Sequence, residues 1–204
     1  MRTITLTVFV FLFAHANAQN LPLKNTESGI FSLGSRSTVS LFNENQSSIG
    51  MGVGGQFRLQ LAPQLNTEWF FDYLTSNVTS TVHRTDFHIG WSVMYYPIKN
   101  KSFILVPYLA AGHCFDQSFF LANQDESNSL SRFSSAVQFG SGVHVNISPR
   151  IDITVLGQYM IHLGREITPT IENSMVSFSY ENHSGVEGHL LLTLGINYKI
   201  KDLW

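Results

Sequence analysis

The sequence predicts an all-β fold: an eight-stranded antiparallel up-and-down transmembrane β-barrel. Three observations lead there. Long segments alternate apolar and polar side chains with a period of two, as strands with one greasy face do. Charged residues make up 13% of the chain, about half the usual share of a soluble domain. Aromatics also reach 13%, with 16 Phe. After the first twenty residues, no apolar run approaches the roughly 20 residues that a membrane helix needs.

The N-terminus sets the compartment. Arg2 precedes an apolar run from Ile4 to Phe13, and Ala16 and Ala18 follow at the spacing of a cleavage site before Gln19. That order reads as a secretory signal peptide over 1–18, with the barrel domain over 19–204. The apolar run is too short for a membrane helix. Only one cysteine, Cys114, is present, so an exported chain of this kind has no disulfide framework. A formal net charge of −2 offers no basic face and argues against a nucleic-acid partner.

The strands follow by parity. Phe31, Leu33, Val39 and Leu41 oppose Ser32, Gly34, Arg36, Thr38 and Ser40. In the second strand Ile49, Met51, Val53, Phe57 and Leu59 oppose Gly50, Gly52, Gly54, Gln56 and Arg58. The third sets Trp69, Phe71 and Tyr73 against Glu68, Phe70 and Asp72; the fourth sets Phe87, Ile89, Trp91 and Val93 against His88, Gly90, Ser92 and Met94. Residues 103–115 are apolar on both faces, and their parity stays open. Alternation returns over 137–147, 151–163 and 186–200. Tight connections at Ala62-Pro63, Pro97–Lys101 and Ser148–Arg150 alternate with polar stretches near 43–47, 76–81, 120–131 and 165–183. Short turns on one side and longer loops on the other are the outer-membrane pattern, with both termini in the periplasm.

In hydrocarbon an open sheet edge is excluded, so the sheet must close. An eight-stranded barrel has an interior that side chains fill. The polar faces carry Arg36, Arg58 and Lys199 against Glu68, Asp72, Asp152 and Glu187, a near balance that allows pairing inside. The aligned glycines Gly50, Gly52, Gly54, Gly140 and Gly142 leave room for long side chains opposite. The expectation is a plugged interior. Trp69, Trp91, Tyr95, Tyr159 and Tyr198 face outward, where residues near strand ends form interfacial girdles.

"TLGINYKI", "VPYLAAG" and "NAQ" carry a family resemblance. The chain resembles the small outer-membrane β-barrel proteins common in Bacteroidetes, related in architecture to the OmpA/OmpX type, over essentially its whole mature length. The resemblance implies location in the cell outer membrane, with outer-membrane lipids and the barrel-assembly machinery as partners. It also implies an assembly signal in Thr193, Gly195, Tyr198 and Ile200. "KDLW" follows that signal, so Trp204 competes with Tyr198 for the place of terminal aromatic.

Chemistry is sparse. The chain has no GxSxG, HExxH, P-loop or paired-cysteine metal motif, and neither a cofactor nor an enzymatic activity is expected. His83, His113, His162, His183 and His189 fall near the outer strand ends and read as rim groups facing water and headgroups, with a metal site as the competing reading. The expected role is structural or surface-interacting, with the loops 120–131 and 165–183 meeting an unidentified extracellular ligand. Two other readings stay open. An outer-membrane lipid-modifying enzyme needs a histidine and a serine within hydrogen-bond reach, and His183 with Ser184 lie on opposite faces. A secreted lipocalin-like barrel needs grease inside, which the parity disfavours.

Overall fold

A computed structural model describes residues 28–42, 49–98, 105–123, 125–172, 175–180 and 186–203. Its strands are β1 (Ile30–Phe42), β2 (Ile49–Ala62), β3 (Leu65–Thr79), β4 (Val82–Tyr95), β5 (Leu105–Ala122), β6 (Asp125–Asn146), β7 (Ile151–Leu163), β8 (Ile167–Glu172), β9 (Met175–Tyr180) and β10 (Val186–Asp202). Eight of them form a closed barrel in the order β1-β10-β7-β6-β5-β4-β3-β2, while β8 and β9 make a separate hairpin. All pairings are antiparallel. The eight-stranded antiparallel barrel expected from the alternation is the fold observed.

Closure runs through the first and last strands. Ser32 pairs with Lys199, Thr38 with Thr193 and Phe42 with His189, with a register shift at Phe31/Ser32. Just before β1, Gly29 takes φ 81°, a left-handed conformation that glycine adopts without a side-chain penalty. There its N–H donates to the Gln60 carbonyl and its carbonyl accepts from the Leu203 N–H. The strand ends on both sides of the seam are thus tied together.

The wall is inverted relative to a soluble protein. Val53 is 65% exposed and Phe139 63%, whereas Arg36 is 4% and Glu68 1% exposed. Outward aromatics pack on one another across strands: the Phe57 and Trp69 rings stack at 4.9 Å, and Trp69 sits beside Trp91 in the β3–β4 register.

Several sequence boundaries need correction. Residues 76–81 are not a long loop, because β3 and β4 continue to a tight turn at Ser80-Thr81. β5 and β6 likewise run through most of 120–131. Ladder hydrogen bonds need no lipid around them, so pairing continues where the outward face has turned polar, as at His83, Thr85 and Gln117. The long connection expected over 165–183 carries the β8–β9 hairpin. In β5, the open parity resolves with Tyr108, Ala110 and Cys114 inward and Leu105, Leu109 and Phe115 outward. Inward apolar groups there meet Met94, Tyr96 and Leu156, which is why both faces of this strand are greasy.

The aligned glycines have a steric role. A Cβ at Gly142 would sit 2.6 Å from the Tyr108 ring, so Tyr108 occupies the space that a side chain would take. Gly142→Val should destabilise the barrel by about 1–3 kcal/mol through overpacking. Equilibrium urea unfolding in detergent or bilayers, followed by tryptophan fluorescence, would measure the loss.

Candidate functional site

The barrel interior is stacked in tiers. "Lower" denotes the end bearing the 62–65 and 147–151 turns, and "upper" the end bearing the β8–β9 hairpin. In the lowest tier Asn66 donates to the Tyr96 hydroxyl at 3.0 Å. That hydroxyl lies 3.0 Å from His144 Nε2, and His144 Nδ1 lies 2.9 Å from Thr154 Oγ1. The Tyr108 ring stacks on His144 at 4.4 Å.

Above it runs a ladder of alternating charge. Arg36 Nε stands 3.0 Å from Asp72 Oδ1, and its Nη1 is 3.0 Å from Glu68 Oε1. Glu68 Oε2 accepts from Arg58 Nε at 2.6 Å, and Arg58 Nη1 reaches Asp152 Oδ1 at 3.3 Å. Asn197 donates to the same Asp152 oxygen at 2.9 Å. The order Asp72–Arg36–Glu68–Arg58–Asp152 therefore places a cation between each pair of neighbouring anions. Desolvation of such ions is offset only by close pairing and hydrogen bonds; Arg36, Glu68, Arg58 and Asp152 have both, while Asp72 Oδ1 meets Arg36 as an ion pair alone.

A dry layer follows, formed by Phe70, Cys114, Ala136, Met160 and Leu191. Arg36 lies beneath it with its guanidinium 4.5 Å from the Phe70 ring centre. Over this layer sits a second polar cluster. Asp116 Oδ2 is 3.1 Å from His162 Nδ1, and it accepts from Ser118 Oγ at 2.9 Å and Ser134 Oγ at 3.3 Å. Its Oδ1 is 3.4 Å from His88 Nε2. His162 Nε2 is 3.5 Å from His189 Nε2. Arg132 Nη2 approaches Asp116 Oδ2 at 3.5 Å.

The topmost tier is a cap. Val78, Val82, Phe120 and Ile167 are buried together, with Leu130, Val176 and Phe178 packed on them. Ile167, Val176 and Phe178 come from the β8–β9 hairpin, which therefore folds over the upper mouth. The Tyr180 hydroxyl, donating to the Ser131 carbonyl at 2.7 Å, fixes the hairpin to β6. Beneath the cap Arg84 Nε pairs with Asp86 Oδ1 at 2.9 Å.

Of the residues singled out from sequence, Arg36, Arg58, Glu68, Asp72 and Asp152 are brought together in the ladder. Lys199 stands apart at the lower mouth, half-buried, and donates to Asn146 Oδ1 at 3.3 Å. Glu187 pairs with His162 in the β10–β7 register, and its side chain lies outside the described residues. Thr193 and Gly195 face inward in β10, Thr193 receiving Arg36 Nη2 at 3.4 Å. Tyr198 is half-buried with its hydroxyl 3.2 Å from Arg150 Nη1, and Ile200 is exposed. Trp204, Ala16, Ala18, Gln19 and His183 lie outside the described residues.

The rim reading of the histidines fails for two of them. His162 is 1% and His189 0% exposed, because both occupy inward positions next to Asp116 rather than the solvated edge. His83 and His113 are half-buried on the outside of the wall. His88, Asp116 and His144 were absent from the sequence-based site. His88 and Asp116 become partners through the β4–β5 register, where they are directly opposed. An inward parity shared by two paired strands was the signal that could have found them. The structure also brings together a histidine and a serine that sequence reasoning missed: His113 Nε2 and Ser135 Oγ lie 2.5 Å apart on the outer surface.

Truncating the centre of the ladder leaves two arginines buried. Glu68→Ala should cost about 3–5 kcal/mol, the range for breaking a buried ion pair by removing one partner. Glu68→Gln, which keeps shape and one acceptor, should cost less in the same unfolding measurement.

No family model and no curated protein matches the sequence. Solved structures do match. Neisserial surface protein A (NspA) superposes with a TM-score of 0.63 at 13% identity, covering 83% of this chain and 97% of that one. The outer membrane protein OprG from Pseudomonas aeruginosa gives 0.55 at 12% identity, covering 85% and 96%. Ail, the attachment invasion locus protein of Yersinia pestis, gives 0.53 at 13% identity, covering 85% and 99%. What these likenesses establish is the fold: a closed eight-stranded β-barrel of the kind that these proteins have.

Proposed function

We propose that this chain is an integral outer-membrane β-barrel, exported through a signal peptide cleaved after Ala18, with its interior plugged by polar side chains. Its role is structural or surface-interacting. One observation carries the reading. The wall exposes apolar side chains such as Ile49, Met51, Val53 and Phe139 while enclosing Arg36, Arg58, Glu68 and Asp72. An apolar belt of this kind is a poor surface in water and a good one in lipid. A lipocalin-like carrier would have the opposite partition.

Tight lower turns fit the periplasmic side and the hairpin end fits the outside. The resemblance to outer-membrane barrels adds lipids and the barrel-assembly machinery as partners. The surface-interaction role falls to the extended β5–β6 ends and the β8–β9 hairpin, next to a groove lined by Ser131, Arg132, Phe133, Arg165 and Tyr180. Names of the structural neighbours, "surface protein" and "attachment invasion locus protein", agree with a role at a cell surface. The tiers of buried side chains support a plug rather than a pore.

Gel mobility tests this directly. In the outer-membrane fraction, unboiled protein should run at a different apparent mass from boiled protein, because a closed barrel resists detergent until heated. Recovery in a soluble fraction without a mobility shift would overturn the reading. Reconstituted into planar bilayers, the protein should show no stable open-channel conductance.

A lipid-modifying enzyme has one observation in its favour, the outward His113–Ser135 contact. A general base paired with serine is the usual activated nucleophile. Among the described residues, however, no carboxylate holds the other nitrogen of His113, and the non-enzymatic reading is preferred. Incubation of the folded barrel with outer-membrane phospholipid should release no fatty acid. Release that disappears in Ser135→Ala would establish the enzyme instead.

A further inference from the structure

We propose that the cluster above the dry layer is a binding site for a divalent transition-metal ion of the Zn²⁺ type, with His88, Asp116 and His162 as ligands. Each contributes one donor atom, and the three atoms lie within 4.8 Å of one another. His88 Nε2 to Asp116 Oδ1 is 3.4 Å, and Asp116 Oδ2 to His162 Nδ1 is 3.1 Å. Donors bound tetrahedrally at about 2.0–2.2 Å from an ion stand roughly 3.3 Å apart. The two Asp116 contacts already stand near that spacing, each through its own carboxylate oxygen, and a metal would draw the remaining donors in from separations of up to 4.8 Å.

Donor type narrows the ion. Two imidazoles and a carboxylate suit Zn²⁺ and its first-row neighbours. Ca²⁺ and Mg²⁺ prefer a shell of oxygens, which the cluster does not offer.

A second, independent observation points to a missing partner. His88 is 1% exposed, and neither of its ring nitrogens has a well-formed hydrogen bond; the same holds for Asp116 Oδ1. Buried polar atoms are normally satisfied, and such exceptions call for an explanation. Asp116 Oδ2, by contrast, is held by Ser118 and Ser134. These contacts orient the carboxylate so that its other oxygen turns toward His88, as outer-shell partners of metal ligands do. His189, 3.5 Å from His162 Nε2, stands where it can orient that ring.

The site lies inside the wall, so it does not depend on the membrane reading. It is also roofed by the β8–β9 hairpin, and the metal should enter most readily as the barrel closes. The experiment therefore refolds the full barrel into detergent with Co²⁺ or Zn²⁺, removes unbound ion by gel filtration, and measures metal per chain. The wild type should retain one ion per chain, with d–d absorption bands for Co²⁺. His88→Ala and His162→Ala should each weaken retention by at least about tenfold, while the double variant His83→Ala/His113→Ala, which alters surface histidines only, should retain the ion. Heat-dependent mobility reports whether each variant has folded. Should the interior variants not fold, X-ray absorption at the zinc edge of the wild type decides: a nitrogen/oxygen shell with two imidazoles supports the site, and a shell without imidazole overturns it. A folded wild type that retains no metal would also overturn it, leaving a His–Asp–His hydrogen-bond network. So would retention that survives loss of both His88 and His162.

Discussion

The seam between β1 and β10 is the interaction on which the rest depends. A sheet with an apolar outer face cannot leave its edge groups unpaired when the surroundings offer no hydrogen bonds; each such group costs several kcal/mol. Pairing the first strand with the last removes both edges. Once the wall is closed, parity alone decides every side chain's environment. One face of each strand must meet the outside, and the other must fill a narrow interior.

That interior is too narrow to tolerate unmatched ions, and its tiers show how the chain meets the restriction. Cations and anions alternate along the Asp72–Arg36–Glu68–Arg58–Asp152 ladder. Small residues stand where large ones need space: Gly54 beside Asp72 and Gly142 beside Tyr108. Neighbouring tiers are chemically unlike, polar below, apolar in the middle, polar again above. The hairpin supplies Ile167 and Phe178 to the upper end, so a segment outside the barrel proper completes the filling.

Much of the wall was legible in the sequence because a period of two survives every local exception. Leu156, Met160 and Leu191 are apolar but inward, and the strands that carry them still read correctly from the remaining positions. The upper cluster was less legible for a physical reason. His88, Asp116, His162 and His189 belong to four different strands, and only the barrel's registers bring them to one level. Reading histidines by nearness to strand ends put His162 and His189 on a solvated edge, because it assumed that strands stop where the apolar face stops. β5 and β6 instead extend past that point, and the hairpin then covers what would have been the rim. The His113–Ser135 contact escaped notice for a related reason: it is a diagonal neighbour across β5 and β6, a relation that sequence spacing does not encode.

The layer of Phe70, Cys114, Ala136, Met160 and Leu191 has a consequence of its own. Packed apolar side chains leave no room for water and carry no charge to pass along the axis. Phe70 and its neighbours fill the space above Arg36, yet Asp72 of the ladder stands directly opposite His88 in the β3–β4 register and joins the two polar tiers beside them. The layer is thus a partial partition: along the β3–β4 wall the ladder and the histidine cluster remain within electrostatic reach of each other, so a change of charge in one tier is felt in the other.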